Sequence, residues 1–308
     1  MDWRKIPFSG RKALLDCIKD TGAEVLVQKG CFFLLFPGAD QNEVKEAVLK
    51  GSLDEVQNRG KVIHTSSQSY RFIQSLKVES ENGSVYFIKK IYRKSPLYWL
   101  HNFFRYGTSI RGEIVAKRLQ AAGITVPQII LVGEKRRGIF LENEYLLFHF
   151  IPVMKTARDI FMDEDREETL NGIFTRIGEL AARMHLAGVA HRDFHLENIY
   201  VCEEGSQDRS PADSYGLCDF LGARFFPKTI PLKYVYNDIQ RMIGNIIENS
   251  YIKKVSSDHY IQSFYGTYER EIKNHHISKM DYKIDIDEMI NRLKLSFARD
   301  SIHSQRTS

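Results

Sequence analysis

The chain has 308 residues, 43% of them apolar, with 44 Lys and Arg against 39 Asp and Glu and a formal charge of +5. That length and balance exclude a disordered, collagen-like or disulfide-stapled chain, and they leave room for two lobes with real cores. The charge is uneven: residues 89–118 hold eight basic residues against a single acid, Glu113. In chain order, residues 1 to about 60 suggest a helix over 11–21 and strands over 23–27 and 32–36 turning at Lys29-Gly30. A helix near 42–49 follows, stopped by Gly51. Extended segments come next at 61–64, 70–78 and 85–92, the last two joined through Asn82-Gly83, a hairpin turn signal.

A helix over 109–122 is closed by Gly123 and Pro127. Two further strands follow, at 128–132 and 145–150. From Ile151 the pattern turns helical, most clearly over 168–186, where Leu170, Ile173, Phe174, Ile177, Leu180 and Met184 recur at helical spacing. Helices are also expected at 237–248 and 284–295, and a loose polar tail over the last eight residues. The reading is an α+β chain divided as 1–55, an N-terminal extension; 56–150, a small sheet-based lobe with one helix; and 151–308, a mainly helical lobe.

Four cysteines, Cys17, Cys31, Cys202 and Cys218, without zinc-type spacing read as reduced thiols. The longest strictly apolar run is the six residues Cys31–Phe36, far short of a membrane span. Met1-Asp2-Trp3-Arg4-Lys5 lacks the apolar stretch of a signal peptide, so the expected location is cytoplasmic.

The chemistry concentrates in His191-Arg192-Asp193-Phe194-His195-Leu196-Glu197-Asn198 and, further on, in Leu217-Cys218-Asp219-Phe220. An Asp or Asn in a polar loop ordinarily caps a turn. Two such motifs in this order, after a five-strand lobe and a long apolar helix, resemble the catalytic loop and metal-binding Asp-Phe of protein-kinase-like phosphotransferases. The resemblance implies a two-lobed protein-kinase-like fold with ATP and Mg²⁺ as cofactors. Asp193 is then the base that takes the acceptor hydroxyl's proton, and Asn198 and Asp219 are the oxygen ligands of the metal. The phosphate-gripping lysine is sought in Phe87-Ile88-Lys89-Lys90-Ile91-Tyr92. Neighbouring strand residues face opposite sides, so one of the two lysines enters the site. The eukaryotic pattern favours Lys89 and the bacterial sugar-lipid pattern Lys90, which is preferred. Glu113 is the candidate helix partner of that lysine. Adenine is expected on backbone groups of His149 and Ile151, and Asp238 matches the acid that anchors the catalytic loop.

Two departures stand out. The segment expected over the phosphates, His64-Thr-Ser-Ser-Gln-Ser-Tyr70, has no glycine, and Leu221 stands where Asp-Phe is normally followed by one. The polar stretch 203–216 reads as a hairpin insertion.

Only nineteen positions separate Asp219 from Asp238, too few for a peptide-binding activation segment, and Ala-Pro-Glu is missing. Lys90-Ile-Tyr-Arg93, Arg111-Gly-Glu113, Leu119–Pro127, His191-Arg-Asp-Phe194, Arg224-Phe225 and Asn237-Asp-Ile239 together resemble the lipopolysaccharide core kinases. That resemblance spans about residues 60–250. It implies a lipid-linked sugar, heptose or 3-deoxy-octulosonic acid, as the acceptor at the inner membrane face. Arg93–Tyr106 interleaves bases with aromatics, which suits peripheral contact with an anionic membrane. Nucleic acid is not an expected partner. Alternatives are a kinase of small hydroxyl substrates, of the aminoglycoside or choline type, suggested by His195, and a pseudokinase binding module, suggested by the absent loop glycines.

Overall fold

The computed structural model describes residues 22–28, 31–37, 42, 44–45, 61–67, 71–79, 85–93, 108–137, 140–149, 154–202, 215–275 and 285–307. The expected helix over 11–21, the aromatic and basic stretch 94–106, Ile151 and most of the polar insertion lie outside these residues. The chain divides into two compact units, residues 1–116 with 127–152, and residues 117–126 with 153–308.

The first unit is built on one antiparallel sheet. Its strands are β1 (Glu24–Gln28), β2 (Cys31–Leu35), β3 (Lys61–Ser67), β4 (Arg71–Glu79), β5 (Val85–Arg93), β6 (Ile129–Arg137) and β7 (Phe140–His149), in the spatial order β1-β2-β6-β7-β5-β4-β3. Five strands are expected from residue 56 onward, and the sheet has seven. The difference lies in the segment read as an extension: its hairpin Gln28↔Cys31 is the sheet's continuation beside β6. Apolar residues of those strands need cover, and the sheet supplies it, since Leu26, Phe33 and Leu35 share one core with Ile88, Leu131, Tyr145 and Leu147. Helix α1 (Thr108–Ala121) buries Ser109, Ile110, Glu113, Ala116 and Leu119.

In the second unit, residues 117–126 are tied by backbone and side chain. Thr125 O accepts from Leu217 N at 2.9 Å, Gly123 O accepts from Arg183 Nη1 at 3.1 Å, and Arg118 lies over the Phe225 ring at 4.6 Å. Strand β8 (Met154–Thr156) leads into α2 (Ala157–Asp163), which opens on a reciprocal Thr156–Asp159 capping box. The apolar stripe of α3 (Glu167–Leu186) is buried as its spacing requires. Phe161, Phe174 and Tyr260 meet there with ring centroids 5.1–5.4 Å apart. Between α3 and α4 (Leu232–Lys253) run the short strands β9 (Val189–Ala190), β10 (Ile199–Cys202), β11 (Tyr215–Leu217) and β12 (Arg224–Phe225). Strand β10 pairs with β8 and β11, and β9 with β12.

Helix α5 (Asp258–Asn274) has no counterpart in the sequence reading, and α6 (Ile286–Thr307) runs through most of what reads as a loose tail. Tyr260, Ile261, Phe264 and Tyr268 give α5 an apolar face, interrupted by enough polar residues to weaken the signal. It packs against α3 at Gly178, where an added Cβ would stand 2.3 Å from Phe264 O. We expect Gly178→Ala to lower the thermal midpoint, with a loss of about 1–3 kcal/mol for overpacking a tight helix contact. A midpoint unchanged by calorimetry would refute that account of the contact.

Candidate active site

Helix α4 holds the site of the second unit through one polar stripe, Asp238, Arg241, Asn245 and Asn249, spaced as one face of a helix. Asp238, fully buried, accepts from the backbone N–H of His191 at 2.8 Å and of Arg192 at 2.6 Å. Its Oδ2 also lies 3.3 Å from His185 Nε2. Arg192 needs the external grip: its φ is +69°, a left-handed conformation unusual for a residue with a side chain. Asn245 Oδ1 accepts from Leu196 N at 3.0 Å, fixing the far side of the loop. Asp238 therefore does anchor the loop His191–Asn198 from below, as its place in Tyr236-Asn-Asp-Ile239 suggests.

Asp193 sits between these anchors, half exposed. Its Oδ1 accepts from Arg241 Nη1 at 2.9 Å, and its Oδ2 is 3.5 Å from His195 Nε2. The hydrogen bond from His195, more than the charge of Arg241, holds the Asp193 carboxyl below its usual range despite partial burial. His195 donates from Nδ1 to Glu197 Oε2 at 2.7 Å, and Arg158 Nε lies 3.2 Å from Glu197 Oε1 and 2.9 Å from Asn249 Oδ1. Burial resists charging the His195 ring, but its bonds to Asp193 and Glu197 together outweigh that and raise its pKa. One chain of contacts thus runs from Asn249 through Arg158, Glu197 and His195 to Asp193.

Asn198 and Asp219 come together through backbone. Asn198 O accepts from Cys218 N at 2.9 Å, in register with the β10–β11 pairing. The Asn198 amide nitrogen donates to Asp193 O at 2.9 Å, which turns Oδ1 away as a free oxygen donor. Asp219 is exposed and left-handed, φ +52°. An amide oxygen and a carboxylate are hard donors of the kind a magnesium ion takes, with phosphate and water filling the remaining positions. Among the described residues no three His, Cys, Asp or Glu side chains gather as a metal cluster. The two motif halves are also stapled by side chains. Arg192 Nη1 donates to Gly222 O at 3.1 Å and the His191 ring to Cys218 O at 3.0 Å.

In the first unit, β5 turns its two lysines to opposite faces. Lys90 is 7% exposed, its ammonium 4.9 Å from the Tyr92 ring centre and 5.2 Å from that of Tyr145. Lys89 is more exposed and lies over Phe87, on the face of Ile91 and Glu144. Glu113 is buried on α1, whose first turn is held by Ser109 N donating to the buried Glu144 carboxylate at 2.8 Å. His149 ends β7 with its N–H already donated to Gln128 O at 3.1 Å, so that group is spent on the sheet. Of the segment His64–Tyr70, residues through Ser67 are strand β3.

Residues 55–225 match the model of the lipopolysaccharide kinase (Kdo/WaaP) family, more than half of the chain. The chain belongs to that family. The match takes in Lys90, Glu113, Asp193, Asn198 and Asp219 and stops before α4. Similar curated proteins are the 3-deoxy-D-manno-octulosonic acid kinase of Vibrio vulnificus strain YJ016, 27% identical over 104 residues, and that of Vibrio parahaemolyticus, 32% identical over 80 residues. These alignments span 33% and 26% of this chain and 42% and 32% of the relatives' own length. A solved structure of WaaP in complex with acyl carrier protein superposes with a TM-score of 0.54 at 15% identity, over 81% of this chain and 91% of that one. The likeness confirms the two-lobed protein-kinase-like fold.

Sequence reasoning passes over Arg241, Asn245, Glu197 and Arg158. Glu197 and Asn245 each carry a spacing signal, the first inside the loop motif and the second seven residues after Asp238. Arg158 and Arg241 carry none. Replacing Asp238 by Ala leaves the buried His191 N–H without an acceptor, at about 1–3 kcal/mol, and the partly buried Arg192 N–H with it, so the thermal midpoint of Asp238→Ala should fall markedly. Burial also holds the His191 ring below its ordinary pKa. The unfolded ring takes up a proton below about pH 6.5 while the folded ring stays neutral, so stability is lost as pH falls through that value. His191→Gln should flatten that acid limb in melts across pH, and an unchanged slope would exclude the ring as its source.

Proposed function

We propose that this chain is an ATP- and Mg²⁺-dependent kinase that phosphorylates a hydroxyl of a lipopolysaccharide core sugar, heptose or 3-deoxy-octulosonic acid, on the cytoplasmic side of the membrane. The observation that carries the reading is the union of the family match with a single loop that presents Asp193, Asn198 and, across β10 and β11, Asp219. Bound magnesium supplies charge neutralisation on the nucleotide phosphates, held by Asn198 Oδ1 and the Asp219 carboxylate. The acceptor oxygen attacks the γ-phosphorus, the bond to ADP breaks, and the hydroxyl proton passes to an Asp193 carboxylate oxygen. With its pKa depressed, Asp193 acts mainly by orienting the hydroxyl and taking the proton late, in keeping with a loose phosphoryl-transfer transition state.

We assign the phosphate contact to Lys90 and its counter-charge to Glu113. A buried ammonium is costly without a partner and rarely kept without a role, and Lys90 is far more buried than Lys89. Adenine is read by backbone groups after His149, including Ile151. Among the described residues no helix is long and apolar enough to cross a membrane. The basic and aromatic composition of Arg93–Tyr106 suits contact with an anionic lipid interface.

The test is transfer of labelled phosphate from ATP to purified core lipid and to soluble alcohols. Core lipid should be labelled, and Asp193→Ala should cut turnover by about 10²- to 10⁴-fold. Lys90→Ala should raise the KM for ATP while Lys89→Ala stays near wild type. The reverse pattern moves the role to Lys89, whose sheet face carries Glu144. Labelling of neither acceptor class sinks the proposal.

A further inference from the structure

Arg241 differs from its neighbours on the α4 stripe. Asp238 and Asn249 are buried, and Asp238 and Asn245 hold backbone, whereas the Arg241 side chain is 55% exposed and bonds the reactive carboxylate itself. The loop's backbone is already fixed by Asp238, Asn245 and Asn198, so Arg241 is not needed as a structural staple. A guanidinium on a base also makes the base weaker. The contact also occupies Asp193 Oδ1, an oxygen the acceptor hydroxyl needs, so an arriving acceptor must exchange it.

Arg241 has what an exchange requires. A guanidinium carries five N–H donors in a rigid fork matched to carboxylates and phosphates, and among the described residues its one hydrogen bond is from Nη1 to Asp193. The segment between Asp219 and Asp238 is basic: residues 220–237 contain Arg224, Lys228 and Lys233 and no acid. Arg224 donates to Tyr234 Oη at 2.6 Å. Tyr234 precedes Arg241 by seven residues, two helical turns, and so shares its face of α4.

Taking Asp193 as the base, as proposed above, we propose that Arg241 is a specificity-determining residue that reads the carboxylate of an acidic acceptor sugar. In the empty site the guanidinium rests on Asp193. A sugar acid draws it away, and Asp193 Oδ1 is then free for the hydroxyl proton. Arg241 lies outside the family match, which ends at residue 225.

The experiment compares the methyl glycoside of 3-deoxy-octulosonic acid with its uncharged carboxamide, which keeps every hydroxyl, as acceptors for the full chain. Wild type should show a KM roughly 10- to 100-fold lower for the acid, the weight of one charge-assisted pair. Arg241→Gln should bring the two KM values together within about twofold, with the thermal midpoint little changed, as for an exposed side chain. Arg241→Lys should restore part of the preference. Equal KM values in wild type, or a preference that survives Arg241→Gln, overturns the inference and leaves the kinase reading standing. Turnover of a neutral heptose acceptor with none of the sugar acid does the same. Turnover of no sugar at all, in wild type as in Asp193→Ala, overturns both.

Discussion

Two backbone N–H groups pointing at one buried carboxylate organise the second unit. The loop that carries Asp193 enters at His191 and turns through a left-handed Arg192, a conformation that costs free energy and would not persist unsupported. Asp238 meets both amides with charge-assisted bonds in a dry environment, where such bonds are strong and their loss is expensive. With the turn set, Asp193 is delivered to the surface, Asn198 folds back on the Asp193 carbonyl, and β10 carries the chain into its pairing with β11. Asp219 arrives beside Asn198 because Cys218 is hydrogen-bonded to it.

The same helix that grips the backbone also reaches the chemistry. At successive turns α4 presents an acid for the amides, a guanidinium for the Asp193 carboxylate, an amide for Leu196 and another for Arg158. The apolar residues Val235, Ile239, Met242, Ile243 and Ile246 seat that helix in the core, so the positions of four polar groups follow from one packing decision. A site built this way is stiff along the helix and adaptable only where a side chain is exposed, which is the case at Arg241.

The first unit works by a different economy. Its strand β5 lies between β7 and β4, so both edges of its backbone are occupied and its side chains alone decide what it contributes. Burying Lys90 beneath Tyr92 and Tyr145 sacrifices hydration, and in exchange the ammonium is held against aromatic faces in a fixed position. Helix α1 has a comparable device in Glu144, a fully buried carboxylate that receives the Ser109 amide at the positive end of the helix dipole.

What was legible in the sequence was what local rules govern. The period-3.6 stripe of α3, the Asn198-to-Asp193 spacing, the Asp-Phe pair and the strand alternation of β5 each depend on residues close in the chain, and each was readable without a fold. The hairpin of residues 24–35 was equally visible, but not its edge position, because the sheet neighbour of β2 is β6, about a hundred residues away. Helix α5 escaped because its apolar face is completed by α3 rather than by its own sequence, and the helix expected over 284–295 falls short of the end of α6 because the residues that follow are mostly polar and carry no helical period. The sequence by itself determined the residue types and spacing on which the proposed chemistry rests, since Asp193, Asn198, Asp219 and the Lys89–Lys90 pair are covalent facts. Only the tertiary structure decided which groups restrain that chemistry. Arg241 and Arg158 reach Asp193 and Glu197 across 48 and 39 residues of chain, and contacts of that range are set by how helices pack, not by any pattern along one of them.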